Sequence, residues 1–469
     1  MSVVVAPVVS EGLDARERSA LSKLFAVWNQ KRPKNALLGV YYDSKQAFRN
    51  IGIAIPDSLA GLHGALGWPA KAVQGLARLH VFEGFSLDGN QNPFEVADVL
   101  AANQFDLELA QAVTSAYKHS CAFITTTVGD TAAGEPPVVV QARDAEWTAA
   151  VWDKPTRQIK YALAIVDTDK QASPTRVILF MPHATVTLAA DRGVWSVVLR
   201  SPNPTGRVLV EPVTYDPQLD RPFGHSRITR EVRYLTDAAI RTMLRSEVHA
   251  EFFSSPQRAL LGGDADAFDS VRWNAYLGRI WGIGLNEEGD QPKLDQLSSS
   301  SMVPHNEMYR QLAQNFAAAT SLPQSSVGLF GDNPQSAQAM ETAWAPLAAE
   351  GEYQWRVFRP ALRRVMQNVV MLRDGLDVVP EDSWRVEVNW TPCRYVSPSV
   401  AADWAVKAVG ADPELQGTTV VRRRLGLSQG ELDEVDSEIR RKGSTGLLER
   451  VLQARAVEPV EGASDGDAE

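Results

Sequence analysis

The sequence has few of the residues that mark secreted, metal-binding and nucleotide-hydrolysing proteins. Among 469 residues there are two cysteines, Cys121 and Cys393. Two can form neither a disulfide framework nor the paired spacing of a zinc site, so a reducing, intracellular setting is expected. The seven histidines, His63, His80, His119, His183, His225, His249 and His305, include no pair three or four residues apart. That spacing is what lets one helix face hold a metal, so each is expected at the surface or at a helix end. No Gly-x-x-x-x-Gly-Lys-Ser/Thr loop cradles a phosphate, and no Gly-x-Ser-x-Gly elbow presents a nucleophile. The run Asp264-Ala265-Asp266-Ala267-Phe268-Asp269 lacks the central glycine and terminal glutamate of a calcium loop. No stretch approaches the ~18 uninterrupted apolar residues of a membrane span. Met1 to Gly12 lacks the basic start of a signal peptide. No catalytic, cofactor-binding or metal-binding residue is therefore assigned, and no membrane partner is expected.

Basic charge is also in deficit. Lysine and arginine number 47 against 57 acidic residues, a net charge of -10. Such a balance argues against a protein that coats nucleic acid through a basic face. It leaves room for one past which DNA moves without sticking. Arg422-Arg423-Arg424 is read as a solvated helix end rather than a phosphate site. Apolar content is ordinary at 44%, and the length suits about two to four domains.

What is present is organised around residues 225–260. From Thr229 to Phe253 the sequence reads as one helix of ~37 Å at ~1.5 Å per residue. Leu235, Ala239, Met243, Leu244, Val248 and Phe252 share one face, and Pro256 stops it. Before it, helices are expected at Ser10–Gln30, ended by Lys31-Arg32-Pro33-Lys34, and at Trp68–Leu79, Phe94–Leu100 and Phe105–His119. Asn103-Gln104-Phe105-Asp106 is the start signal of the last of these. Strands follow at Cys121–Val128, from Pro136, and at Ile159–Ile165, Arg176–Phe180, Ala184–Leu188, Val194–Leu199 and Val208–Val213. Turn residues between them predict an antiparallel meander, and Glu146–Trp152 is read as two turns of helix. After the long helix, Gln257–Leu261 and Gly278–Ile283 are expected as strands and Phe268–Tyr276 as a helix. Val303–Thr320 returns as a helix with Met308, Leu312, Phe316 and Ala319 on one side. Ser321–Asn333 is a Ser-, Gly-, Pro- and Gln-rich loop. A helix resumes near Pro334 and runs, kinked at Pro346 and Pro360, to Leu372. Trp384–Trp390 alternates as a half-exposed strand, and Ser399–Lys442 is helical in pieces, with a capping pattern at Ser428-Gln429-Gly430-Glu431. The fold class is α+β. From about Val457 the Glu-, Gly- and Asp-rich sequence is expected to be disordered.

Three stretches carry a resemblance. Gly224-His225-Ser226-Arg227-Ile228, Leu235-Thr236-Asp237-Ala238-Ala239, and Glu251-Phe252-Phe253-Ser254-Ser255-Pro256-Gln257-Arg258 resemble the portal proteins of tailed bacteriophages. The match is to the siphophage type, in the branch found in actinobacteriophages. Leu322-Pro323, Gly328 and Asp332-Asn333-Pro334-Gln335-Ser336-Ala337 add to it, as does Phe105–Ile124. His225 and Cys121 depart modestly from the family pattern. The resemblance implies a portal fold with a wing, a long-helix stem, a small α/β clip and a helical crown. Residues 1–224 would be the N-terminal wing, 225–253 the first stem helix, 254–302 the clip and 303–320 the second stem helix. Residues 321–338 would hold the tunnel loop, 339–396 the wing helix and strand, 397–450 the crown and 451–469 a disordered tail.

It further implies a ring, usually of twelve copies, at one capsid vertex of the virion. That ring would be the channel for DNA packaging and ejection. Gln324, Ser325, Ser326, Asp332, Asn333, Gln335 and Ser336 would face double-stranded DNA in the tunnel loop. Arg272, Trp273, Arg279, Trp281, Glu287 and Glu288 would form the clip surface that docks the terminase large subunit and later the head-completion adaptor. The major capsid protein and scaffold would be further partners, and an acidic excess is expected on the channel wall. The chain would not be an enzyme; the alternative is a hydrolase or transferase with an unmarked active site.

Overall fold

The computed structural model describes residues 12–46, 64–191, 194–253, 258–261, 293–296, 301–330, 336–394, 398–427, 430–432 and 434–442. The chain divides into two units, Met1–Cys393 and Arg394–Glu469.

Helix α1 (Ala15–Tyr42) opens the first unit behind a capping box, in which Asp14 accepts from the Glu17 amide and Glu17 reaches back to that of Asp14. It does not stop at Pro33, as the sequence led us to expect. Leu21, Leu24, Phe25 and Trp28 pack on one core and Leu38 on another. Burial on both sides of the proline outweighs its cost of about 3 kcal/mol, and Pro33 itself is exposed. The Asn35 amide donates to the Ala145 carbonyl at 2.7 Å and the Trp28 indole to that of Glu146 at 2.7 Å. Next come α2 (Trp68–Ala77), β1 (Phe82–Ser86), α3 (Ala97–Ala102) and α4 (Phe105–His119). The Asn103 side chain does not cap α4. It bridges instead to the Val99 and Val138 carbonyls and the Val140 amide, and Gln104 enters the helix left-handed with no side-chain cap.

Strand β2 (Cys121–Val128) lies between β3 (Val138–Asp144) and β9 (Val210–Thr214), antiparallel to both. Its first six residues are all buried. Helix α4 covers one face and a second core the other, which is why its sequence is β-branched without a polar alternation. The expected meander is present as a five-stranded sheet in the order β4 (Thr148–Asp153), β5 (Gln158–Thr168), β6 (Pro174–Phe180), β7 (Ala184–Asp191), β8 (Val194–Pro202). Strand β4 replaces the helix expected at Glu146–Trp152. Asp144 takes the Trp147 amide at 2.9 Å, turning the chain so that residues 148–153 pair with β5. Tertiary pairing overrides a weak local preference there.

After β9 the chain enters α5 (Arg230–Phe253), then the antiparallel pair β10 (Arg258–Leu261) and β11 (Lys293–Gln296), then α6 (Val303–Ala319). The partner of the expected strand at 257–261 is thus residues 293–296; the strand expected at 278–283 and the helix at 268–276 lie outside the described residues. The buried stripe of α6 is Ala313, Phe316 and Ala317, with Tyr309 and Leu312 partly buried. Met308 and Ala319, expected on that side, are exposed. Helix α7 (Ala337–Asp374) then runs uninterrupted through Pro346 and Pro360, both exposed, so the backbone each leaves unbonded meets water. Its middle crosses β9. Arg364 bonds the buried Glu211 at 2.6 Å, and Asn368 and Arg207 approach the same carboxylate at 3.4 and 4.0 Å. Burial pushes the Glu211 carboxyl up, and those guanidiniums oppose it. Strand β12 (Glu387–Trp390) closes on β1. The sequence hid β1 because it breaks pattern at Gly84, which sits at a bulge with φ +112°.

The second unit contains α8 (Pro398–Ala411) and α9 (Thr419–Arg424), with helical residues at 430–432 and 434–442. The basic run is engaged within it: Arg422 pairs with Asp436 at 2.6 Å and Arg424 lies over Trp404. Ser428, the expected cap, and the tail from Val457 lie outside the described residues.

Two histidines are buried: His80, which is neither at the surface nor at a helix end, contrary to expectation, and His119, which is at a helix end. His80 sits among Tyr117, Phe358 and Trp390, its ring nitrogens on the Leu76 carbonyl and the Tyr117 hydroxyl. His119 ends α4 and is 3% exposed. Burial holds both down at about 4. Below pH 6.5 the unfolded chain takes up protons that the folded chain refuses. Stability should therefore fall as pH drops from about 6.5 to 4, by up to roughly 3 kcal/mol per histidine. Urea unfolding of His119→Leu across that window should show a drop smaller than the parent's by one such increment.

Candidate functional site

The sequence from Gly224 to Ile228 forms the root from which α5 leaves. Gly224 adopts φ +64°, and a Cβ there would lie 1.9 Å from the Tyr215 carbonyl oxygen, so no other residue fits the turn. His225 lies against Tyr215 and 3.4 Å from the Asp216 carboxylate. Ser226 donates to the Lys118 carbonyl at 2.6 Å and accepts the Ile228 amide at 3.0 Å. Arg227 turns inward and is 4% exposed. Its Nε donates to the Ala72 carbonyl of α2 at 2.6 Å. One Nη reaches the Thr320 carbonyl at the end of α6. The other reaches Glu350 of α7 and, at 3.2 Å, the Tyr215 hydroxyl, which itself donates to Glu350 at 2.7 Å. One guanidinium thus ties the start of α5, the end of α6, α2 and α7.

Beyond the root, α5 and α6 pack side by side and antiparallel. Leu235 and Ala239, early in α5, share a core with Ala313 and Phe316, late in α6. His249, late in α5, meets His305, early in α6, with ring nitrogens 3.2 Å apart. Ala313 and Ala317 are buried on α6, and Trp68 stacks on Phe316 at 4.7 Å. Of the α5 face expected from spacing, Leu235, Ala239, Leu244 and Val248 are buried and Met243 is half-buried. Tyr41 of α1 buttresses the outer side by donating to Asp237 at 2.8 Å, under Arg233. The two helices carry Arg230, Arg233, Arg241, Arg245 and Arg310 against Glu231, Asp237, Glu247, Glu251 and Glu307. They are charge-balanced, not acidic.

The segment after α6 folds on itself. Leu322 donates its amide to Ala317 at 3.0 Å and its side chain packs so close to Gly75 that a Cβ there would lie 2.6 Å away. Gln324–Val327 make one 3-10 turn, closed by Gly328 at φ +81°. Gln324 is exposed, Ser325 and Ser326 are half-exposed, and Phe330 is 77% exposed. No charged side chain occurs from Ser321 to Phe330. Ser336 accepts the Ala339 amide at 3.1 Å and so caps α7. Asp332, Asn333 and Gln335 lie outside the described residues, as do all six expected clip residues, Arg272, Trp273, Arg279, Trp281, Glu287 and Glu288.

This layout, two long helices with a small β pair between them and a neutral loop after the second, is accompanied by a family match. Residues 21–441 match the model described as phage portal protein, SPP1 Gp6-like. The chain belongs to that family. Two portal proteins resemble this member across most of its length. That of Mycobacterium phage D29 is 28% identical over 437 residues, covering 89% of this chain and 88% of the relative. That of Mycobacterium phage L5 is 27% identical over 434 residues, with the same coverage. Both come from mycobacteriophages, in keeping with the actinobacteriophage branch. Among solved structures, a chain of "Neck of native GTA particle computed with C12 symmetry" aligns with TM-score 0.45 and 15% identity, over 85% of this chain and 99% of that one. A chain of "Neck of empty GTA particle computed with C6 symmetry" aligns with TM-score 0.42 and 12% identity, over 84% and 93%.

Reading this portal-family member's sequence picked out Arg227 within a motif but not its role. Glu350 carried no signal at all, because its partner is 123 residues away. Arg227→Ala should cost roughly 3–5 kcal/mol, since Glu350 and two carbonyls lose their donor. Arg227→Lys should recover little, because a point charge cannot reach four acceptors in different directions. A double variant, Arg227→Met with Glu350→Leu, should be less destabilised than Glu350→Leu alone, which leaves the guanidinium buried without a counter-charge. Urea midpoints of the four proteins test this ordering.

Proposed function

We propose that the chain assembles into a closed ring of twelve copies at one vertex of the capsid, and that double-stranded DNA is packaged and ejected through it. The observation that carries this reading is the pairing of α5 and α6 around a small β element in a chain whose residues 21–441 fit the portal family. On this reading α5 and α6 form the stem, residues 254–302 the clip and residues 321–338 the tunnel loop. Repeating one heterologous contact until it closes makes such a ring. The clip offers the terminase large subunit, and then the head-completion adaptor, a docking surface, while the major capsid protein and scaffold surround the wing. ATP hydrolysis belongs to the terminase. Nothing in the family match or the relatives favours the hydrolase or transferase alternative.

The first three turns of α7 support a contact between copies. Residues 339–346 are all exposed in the single chain, including Met340 at 48% and Trp344 at 42%. Met340 and Trp344 are four apart and so share a face. An apolar face of this kind is normally covered in the working assembly.

DNA carries about one charge per ~1.7 Å, so a bore lined by cations would hold it with steep salt dependence. A loop whose one charged residue is Asp332, and a balanced stem, present no excess of cations to grip it, and any larger acidic excess on the wall has to come from elsewhere than these helices.

Light scattering of the purified protein should give a mass of about 620 kDa, twelve copies of a 51.3 kDa chain; a persistent monomer overturns the ring. Trp344→Asp should shift the mass towards the monomer. Gln324→Lys with Ser326→Lys should make the ring retain linear duplex DNA at 50 mM salt and release it at 200 mM. The parent ring should retain little at either, as read by filter binding.

A further inference from the structure

The start of α1, β5, β8 and the turn between β6 and β7 bound a groove of about 770 Å³. Its floor is apolar: Ala20 is buried, and Tyr161 and Met181 pack on the core beneath α1. Its rim is basic, with Arg16, Lys23, Lys160 and His183 all exposed. The two carboxylates present are already engaged. Asp14 accepts the Glu17 amide at 2.7 Å, and Glu17 holds Arg200 at 2.7 Å. The side chains of Arg16, Lys23 and Lys160 have no ion-pair or hydrogen-bond partner among the described residues. In a chain of net charge -10 that is a local surplus of unmet cations.

The same unit carries the opposite surface. Helix α7 ends at Gly375, with φ +66°, and residues 376–379 beyond it are exposed, Val378 by 70% and Val379 by 40%. Asp377 and Glu381 flank the two valines, both exposed and without a partner among the described residues. Asp374 and Asp382, by contrast, meet Arg373 and Arg385. An apolar centre with a charged rim is the pattern of a contact surface.

The two surfaces match in scale. Arg16 and Lys23 are two turns apart on one face of α1, about 10 Å. Asp377 and Glu381 are four residues apart, at most about 14 Å. No residue of 376–381 lines the groove of its own chain. Two unlike, complementary patches on one chain are what a heterologous contact joins.

We propose that Leu376–Glu381 of one copy enters this groove on the next, with Val378 on the apolar floor and Asp377 and Glu381 on the cations of the rim. This contact rests on the ring reading and supplies one of its seams.

Carbodiimide joins an amine to a carboxylate only where the two touch, so it reads the contact on the full-length protein. In assemblies mixed from nitrogen-15-labelled and unlabelled copies, Lys23 or Lys160 should be joined to Asp377 or Glu381 in peptides that carry one label each. Lys23→Glu with Lys160→Glu should raise the concentration at which half the protein is assembled by about tenfold or more, and so should Asp377→Lys with Glu381→Lys. The four changes together should bring it back to within about threefold of the parent, because opposite charges face each other again. Unchanged assembly of both double variants overturns the contact and leaves the ring standing. A ring without these cross-links, cross-links confined to a single label, or a quadruple variant as weak as the doubles overturns it too. A parent that stays monomeric overturns both the contact and the ring.

Discussion

The buried guanidinium of Arg227 is the constraint on which the arrangement of the first unit depends. Taking such a charge out of water costs several kcal/mol unless its donors are met. Its acceptors come from four places: Ala72 on α2, Tyr215 after β9, Thr320 at the end of α6 and Glu350 on α7. No single element can satisfy it, so the charge is tolerable only when all four are in position together. The two long helices are therefore fixed at their common root, one at its start and one at its end. Farther out, what holds them is apolar contact and the His249–His305 bond.

Around the root the packing is graded. Tyr117 joins the hub to the aromatic cluster of His80, Phe358 and Trp390, through its hydroxyl on His80 and its carbonyl on the Arg227 amide. Trp390 then stacks on Trp355 of α7. A kilocalorie lost at Arg227 is therefore not confined to one hydrogen bond, because networks of this kind polarise and position one another. The five-stranded sheet is tied in through α1, whose two ends lie in two separate cores, and through a third core that β4, β5 and β6 share with β2 and β9. That helix is the reason Pro33 is tolerated.

Much of the fold was legible because burial imprints a period on sequence. The helices at 105–119 and 230–253 follow from spacing, and the strand at 121–128 from its β-branched run. What escaped depends on distant partners. Residues 148–153 become a strand because β5 is beside them, and Phe82–Ser86 because β12 returns some 300 residues later. On α6, Phe316 and Leu312 were placed correctly but Met308 and Ala319 were not, since the buried Ala313 and Ala317 look neutral in sequence. His80 read as a surface or helix-end residue because nothing local betrays its aromatic neighbours Tyr117, Phe358 and Trp390. Of the loop residues, Gln324, Ser325, Ser326 and Ser336 could be placed, and Ser336 turns out to cap a helix. Polar composition marked the loop but could not tell a cap from a free side chain.

The distribution of charge bears on how such a chain could let DNA pass. The net charge of -10 belongs to the whole sequence. Yet α5 and α6 carry as many arginines as carboxylates, and residues 321–330 carry neither. If these elements face the duplex, repulsion by an acidic wall is not what keeps DNA moving. In a ring every side chain is repeated once per copy, so a single lysine on the loop would become a belt of cations, and each phosphate it neutralised would release condensed counterions and deepen the trap. A loop without a lysine or arginine repeats nothing that can hold a phosphate. Weak, evenly spread polar contacts then present the same surface at every register of the helix, and that uniformity, more than any net negative field, is what sliding requires.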